Sequence, residues 1–483
     1  MMRARRSAAL ALALIATGCK VGPNYARPDA PSAPAFKELA GWKPADPRDG
    51  IDRGAWWSVY NDPVLDGLEK QVAISNQTVK QSEAAYRQAT ALIREAQSGL
   101  FPTLSVSPGL SRSKNSSGSS SFGRGGATSE YSFQGSASWT LDVWGQIRRE
   151  IESQSAAAQA SAADLANARL SEQAALATAY FELRGQDSLE KLLTDTVAEY
   201  RRALQITQNQ YDAGTASRGD VLAADVQLQS TIATLVAAGV TRAQYEHAIA
   251  VLTGKPPADL AISPAPLAGD VPVVPVVVPS VLLERRPDIA AAERTMQQQN
   301  ALIGVAIAGY YPQVSLSAAF GFVGSPLPKL FDTASEVWSL GASAIETFYT
   351  GGYTAAAVTA ARASYDEAVA SYRQTVLTAF QQVEDQLSNL RILQQQAAAE
   401  DTSVAAAKRS VDVTINEYRA GTVAYTSVIT EQAALLAAQQ AQLSVNQSRL
   451  VASVSLIQAL GGGWTAADLP KPASEFPSPL PWP

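Results

Sequence analysis

A single histidine and a single cysteine bound what this chain of 483 residues can do chemically. A Ser-His-Asp triad holds its imidazole between a hydroxyl and a carboxylate, and a zinc site gathers four Cys, His or acidic ligands. Either would have to be built on His247, which lies in Ala-Gln-Tyr-Glu-His-Ala-Ile-Ala, where helical periodicity gives the simpler account. No pattern supplies a nucleophile, a base and an orienter together. The chain is therefore not expected to be an enzyme, and neither a metal nor an organic cofactor is expected. A lone cysteine gives no disulfide framework and no paired-cysteine redox site. With 38 basic against 44 acidic residues the net charge is -6, and no Lys/Arg cluster is large enough to bind nucleic acid.

The chemistry left to Cys19 is attachment of lipid. Arg3, Arg5 and Arg6 precede the apolar run Ala8 to Ala16 and then Thr17-Gly18-Cys19, the three parts of a cleaved export signal over residues 1–18. Ala16-Thr17-Gly18-Cys19 resembles the bacterial lipoprotein lipobox, with Ala16 where leucine is usual. That resemblance implies acyl chains on Cys19, each buried CH₂ adding about 0.8 kcal/mol of membrane affinity. Lys20 in the next position, rather than Asp, implies sorting to the outer membrane. The alternative is an ordinary secretory signal that carries a stray thiol.

The elements that follow are duplicated. Asn209-x-Tyr211-x-Ala213-Gly214-Thr215 recurs 207 residues later as Asn416-x-Tyr418-x-Ala420-Gly421-Thr422. Residues 19–54, rich in Pro, Asp and Ala, are expected to form the lipid anchor and an extended tether. The first unit, 55–254, opens with Asp62 as N-cap and Pro63 at the first helical position, which predicts a helix from about Val64 to Ser98. Alternating apolar and polar residues predict strands over about 103–112 and 131–141; Leu104, Val106, Pro108 and Leu110, for example, alternate with small polar residues. A long helix from about Arg149 to Tyr211, the Ala-Gly-Thr turn and a returning helix complete the unit, with Leu193, Val197, Tyr200, Leu204 and Tyr211 spaced as a coiled-coil seam. A Pro-rich crossover strap spans 255–280. The second unit, 281–463, repeats the device with strands over about 313–323 and 337–346 and a long helix from about Tyr353 to Tyr418. In its returning helix Ile429, Leu436, Leu443, Leu450 and Ile457 recur every seven residues. A Pro-rich tail covers 464–483.

Each strand has about the ten residues of a tilted membrane β-strand. Some sixty helical residues span roughly 90 to 100 Å, the length of a stalk and not of a globule. The fold class read here is mainly α with a membrane β-barrel portion. Four strands cannot close a barrel, and an open edge in lipid leaves backbone groups unpaired at several kcal/mol each. Three copies supply about twelve strands, an even number within the usual range. Their helices then form a tube below.

Cys19-Lys20-Val21-Gly22-Pro23-Asn24-Tyr25, Leu283-Glu284-Arg285-Arg286-Pro287-Asp288-Ile289, the two Ala-Gly-Thr turns and Leu460-Gly461-Gly462-Gly463-Trp464 together resemble the TolC/OprM-like outer membrane factors, in the NodT-type lipoprotein branch. The resemblance implies a homotrimeric channel-tunnel in the outer membrane. It also implies a periplasmic adaptor and an inner-membrane pump, proton-driven in the drug-efflux branch, whose small toxic cargo leaves through this passive duct. Two alternatives stay open: a conduit for an ATP-driven protein exporter, and a trimeric coiled-coil stalk with no channel.

The resemblance places a gate at the helix-turn tips, Gly214, Thr215, Gly421 and Thr422, and the first turns beyond them. Where the family often carries acids, this chain has Ser427 and Thr430, with Glu431 adjacent; Asp220 is the counterpart of Ser427, and Arg218 precedes it by two residues. Three copies of Asp220 in a constriction would prefer cations, whereas an Asp at a helix start also serves as a cap. Arg285, Arg286, Pro287 and Asp288 are read as structural: Asp288 capping a helix from about Ile289, and an arginine pairing with carboxylates in the strap.

Overall fold

The computed structural model describes residues 20–31, 35–38, 55–114, 127–267, 271–272, 285–464 and 468–474. The expected export signal and Cys19 lie outside the described residues. Helix α1 is Pro63–Ser75, α2 is Gln77–Ser98, β1 is Thr103–Lys114, β2 is Ala127–Leu141, α3 is Gln146–Asp212 and α4 is Arg218–Leu252. Beyond the strap come α5 (Pro287–Ala308), β3 (Gln313–Gly324), β4 (Glu336–Ile345), α6 (Tyr353–Arg419) and α7 (Tyr425–Ala459). The duplication is kept to the residue: α6 begins and ends 207 positions after α3, and α7 does so after α4. At 67 residues each, α3 and α6 are about 100 Å long.

The single helix expected over 64–98 is two. Asn76 breaks it with φ -60° and ψ 131°, and its side-chain Oδ1 accepts the Val79 N–H at 3.0 Å as the N-cap of α2. Its amide nitrogen donates to Glu172 Oε2 at 2.8 Å and to the Leu252 carbonyl at 2.9 Å. The break is thus held by two later helices. Asp62 caps α1 as its sequence suggests, accepting from Val64 and Leu65.

The four strands form one antiparallel sheet in the order β1-β2-β3-β4, with β1 and β4 at its edges. Register puts Leu104 opposite Ala137, Ala137 opposite Ala318 and Ala318 opposite Leu340, so one face runs apolar across the sheet. Phe133, Phe320, Trp338 and Leu340 on that face are exposed. The other face is lined by hydroxyls, some paired across strands: Ser105 with Ser136 at 2.7 Å and Ser315 with Ser343 at 2.8 Å. A sheet that is apolar on one side and hydroxylic on the other separates lipid from water.

Where sheet meets helices, Trp144 stacks on Tyr311 with centroids 4.8 Å apart, and its indole N–H donates to the Pro312 carbonyl at 2.9 Å. The expected tether is extended here but not loose. Arg149, fully buried, donates to the carbonyls of Val21 and Gly22 at 2.9 Å each and to Asn24 Oδ1 at 3.1 Å, while its charge meets Glu152 at 2.9 Å. Gly22, at φ +89°, lies so close to Gly304 of α5 that a Cβ would collide with its backbone.

The main core sits midway along α3, where Leu65, Leu68 and Val72 of α1 cluster with Tyr180, Phe181 and Leu183 of α3 and with Leu450, Leu456 and Ile457 in the last turns of α7. The described part of the strap is bound there by a buried ion cluster. Asp187 receives Arg184 at 2.9 Å and Arg242 at 2.7 Å, and it also accepts the Ala265 N–H at 3.0 Å. Of the spaced seam in α3, Leu193, Val197 and Tyr200 are buried, the latter two clustering with Leu228 of α4, but Tyr211 is exposed.

Candidate functional site

Both long helices end in the same turn. Gly214 and Gly421 adopt φ of +76° and +74°, the left-handed conformation glycine takes at no steric cost. Thr215 N–H donates to the Gln210 carbonyl at 2.8 Å and Gly214 N–H to that of Tyr211 at 2.9 Å; the second copy repeats this with Thr422 to Glu417 at 3.0 Å and Gly421 to Tyr418 at 2.9 Å. These are the two bonds of a Schellman cap. The threonine hydroxyls add a second donor to the same carbonyls, at 3.0 Å and 2.9 Å. The repeated motif therefore encodes a reversal that closes the far end of each helical pair.

Beyond the turns the copies diverge. In the first, Ser217 and Asp220 form a capping box: Ser217 Oγ accepts the Asp220 N–H at 3.1 Å, and Asp220 Oδ2 accepts the Ser217 N–H at 3.0 Å and its hydroxyl at 2.8 Å. In the second, Ala424 and Ser427 stand in those places and no side chain caps the helix. What replaces the cap is an aromatic clasp. The rings of Tyr418 and Tyr425 lie 5.2 Å apart, and Tyr425 and Val428 pack on Ala224 of the first copy. Tyr418 donates its hydroxyl to Gln210 Oε1 at 2.9 Å. Burial, and beside it the charge of Asp220, pushes both phenols above their ordinary range.

The structure thus brings Asp220 to the Tyr418–Tyr425 clasp as a cap whose carboxylate is already hydrogen-bonded. Arg218 is exposed at the start of α4, and Ser427 is half-buried. Thr430 returns its hydroxyl to the Thr426 carbonyl at 3.0 Å, and Glu431 accepts from Ser410 at 2.7 Å. Sequence reasoning missed the clasp, although Tyr418 lies inside the repeated motif. Its partner Tyr425 occupies the place that Arg218 has in the first copy, so the duplication hides it.

The Arg-Arg-Pro-Asp motif sits apart from the turns. Arg286 is itself the N-cap residue, α5 starting at Pro287, and Asp288 lies in the first turn instead of capping it. Nor does either arginine reach a carboxylate of the described strap residues. Arg286 grips Asp288 with two bonds, 3.0 Å and 2.6 Å, and donates to the Ala459 carbonyl and to Gln382, both at 2.9 Å. The motif locks the end of α7 to the start of α5, beside Gly461, whose Cβ would strike the Arg285 carbonyl. His247 is also placed differently from a core histidine: it is exposed on α4.

A sheet with lipid-facing and water-facing sides, carried on helices about 100 Å long that end in closed turns, defines the wall of a membrane channel with a helical extension. The family model described as outer membrane efflux protein matches residues 68–255 and 278–462, and the chain belongs to that family. It is 29% identical to the toluene efflux pump outer membrane protein TtgC of Pseudomonas putida over 94% of each chain. It is 30% identical to the pyoverdine export outer membrane protein OpmQ of Pseudomonas aeruginosa, over 86% of this chain and 89% of that one. The solved outer-membrane channel OprN matches with a TM-score of 0.85 at 31% identity, covering 92% of this chain and all of that one. The chain is accordingly an outer-membrane channel protein of an efflux system.

Proposed function

We propose that three copies of this chain close a twelve-stranded barrel over a helical tunnel and form the passive exit duct of a three-part system, completed by a periplasmic adaptor and a proton-driven inner-membrane pump. The observation that carries this reading is the sheet, apolar on one face, hydroxylic on the other and unpaired at β1 and β4. In lipid those edges need partners, and only a closed ring of copies supplies them without leaving two free. A stalk has no use for such strands.

Small toxic compounds are the proposed cargo, a reading supported by relatives named for toluene efflux and pyoverdine export. Acylation of Cys19 would anchor the assembly, a reading supported by the docking of Val21 on Trp144, near the junction of sheet and helices. The turns with Asp220, Tyr418 and Tyr425 form the proposed gate, with Arg218, Ser427, Thr430 and Glu431 on the same first turns. No bond is made or broken in this function; the pump supplies the energy. Purified full-length protein in a planar bilayer should give discrete, long-lived conductance steps, and a protein that trimerises without conducting would establish the stalk instead. Crosslinking in native membranes then distinguishes a proton-driven pump from an ATP-driven protein exporter.

A further inference from the structure

Helix α4 carries a bare stripe that its duplicate does not. Leu222, Val226, Val236, Val240, His247 and Val251 follow one another at helical spacing and all are exposed, Val240 to 59% and Val236 to 69%. The counterparts on α7, at 207 positions further, are half-buried or better, and Val454, the counterpart of His247, is fully buried. The difference is a neighbour. In α7 that face lies against α3, with Gln447 packed on Gly185, Gly462 beside Leu170, and Tyr425 beside Thr207. These three contacts keep one antiparallel register along the whole length of the pair, since every step back along α3 is matched by an equal step forward along α7.

Moving that register by one repeat sends α7 to α4 and α3 to α6. Gln447 on Gly185 becomes Val240 on Ile392, and Ile392 is itself 51% exposed on α6. Val454, opposite Thr178, becomes His247 opposite Asp385. Among the described residues of one chain α4 meets α6 only near the turn, around Ala224, and the two are not packed along their lengths, so the partner helix belongs to another copy.

We propose that α6 of a neighbouring copy covers the bare stripe of α4 in this register, and that His247 there takes Asp385 of that copy as its hydrogen-bond and charge partner. The inference rests on the closed-ring reading above. The charges already placed on either side favour this pairing. Glu246, next to His247, is engaged by Arg242 at 3.5 Å and by the Ile262 N–H at 2.7 Å. Glu384, next to Asp385, accepts the N–H groups of Lys37 and Glu38 at 2.6 Å and 2.9 Å. Asp385 is exposed, and among the described residues it accepts only the Gln381 amide, at 3.4 Å. It is the carboxylate left for the seam, as His247 is the imidazole left for it. Where the internal seam admits a glycine, the seam between copies sets two aliphatic side chains together at the same level, Val240 against Ile392.

Paired cysteines in the full-length protein in native membranes test the register. Val240→Cys with Ile392→Cys, and His247→Cys with Asp385→Cys, should each give dimer and covalent trimer bands after oxidation or treatment with a short thiol-to-thiol reagent, because the proposed register sets the two residues of each pair opposite one another. The single variants control for Cys19, and Val240→Cys with Asp385→Cys, two turns out of register, should lose the trimer band. The pairing itself is tested by exchange: His247→Glu or Asp385→Arg alone should lower the melting temperature of the trimer, and the two together should restore it. A native mass measurement that shows trimers while neither in-register pair crosslinks overturns the register and leaves the ring. Failure of the exchange to restore the melting temperature overturns the His247–Asp385 pairing. A monomer in that measurement overturns the ring reading and the seam together.

Discussion

Glu69→Gln is expected to stabilise the protein, increasingly so as pH rises. Glu69 lies on the core-facing side of α1 beside Leu65, Leu68 and Val72, is 0% exposed, and neither of its carboxylate oxygens has a hydrogen-bond partner among the described residues. Desolvation without any compensating charge pushes its pKa up from 4.5 to about 9. The folded state therefore holds a proton that the unfolded chain has released throughout the window between those values. Because the folded pKa is the higher one, stability is full below about 4.5 and is lost as pH rises toward 9. At pH 7 the distance from 4.5 corresponds to roughly 3 kcal/mol, growing by about 1.4 kcal/mol for each further pH unit. Glutamine keeps the shape and the unmet polar atoms but does not titrate. Thermal melts of both proteins in detergent, followed by circular dichroism at pH 5, 7 and 8, should show nearly equal midpoints at pH 5 and a widening advantage for the variant above it. A difference independent of pH, or a variant melting lower at pH 8, would refute the assignment of Glu69 as a buried neutral acid.

Three further outcomes follow from the same geometry. Arg286→Ala should destabilise the protein by about 3 to 5 kcal/mol in thermal or denaturant unfolding, since it strands a carboxylate and a helix-end carbonyl, and Arg286→Lys should restore little because a lysine cannot make the two parallel bonds. Gly421→Ala should cost about 1 to 2 kcal/mol from its left-handed backbone alone, because nothing lies within 4 Å of the added methyl; the loss should appear as faster hydrogen exchange at the α6–α7 turn. Asp220→Ala should shift the reversal potential of the reconstituted channel away from cations if the carboxylate lines the gate, while Tyr425→Ala, which opens the clasp without removing charge, should raise conductance and leave the reversal potential unchanged. An unchanged reversal potential in the first variant removes Asp220 from the ion path and leaves it as a cap.

Much of the fold was legible because it is written in local periods. Alternation at Leu104, Val106 and Leu110 marked a strand, the seven-residue recurrence from Ile429 to Ile457 marked a helix, and Ala-Gly-Thr marked the reversal. Three of the misses share one cause: each depends on a partner far away in sequence. Asn76 ends a helix by bonding Glu172 and Leu252, Arg149 is spoken for by Val21 and Gly22, and Arg286 reaches Ala459. None of these has a local period. The sequence offers Asp220 both as a gate residue and as a cap; Ser217 three residues earlier carries the signal for the cap. Tyr425 was invisible for another reason, since the two copies differ at that position and comparison between them points to Arg218.

The segment from Val21 to Asn24 has a bearing on the order of events. It is made before the rest of the body, yet its binding groups are shared between the two halves: Trp144 and Arg149 from the first, and Asn300, which donates to the Pro23 carbonyl at 3.1 Å, from the second. Gly22 fits only against the backbone of Gly304. A seat made of both halves does not exist until both have formed and met. A stretch that leaves the ribosome before both halves is thus among the last to find its place, and its seating is a local record that both halves have folded and joined.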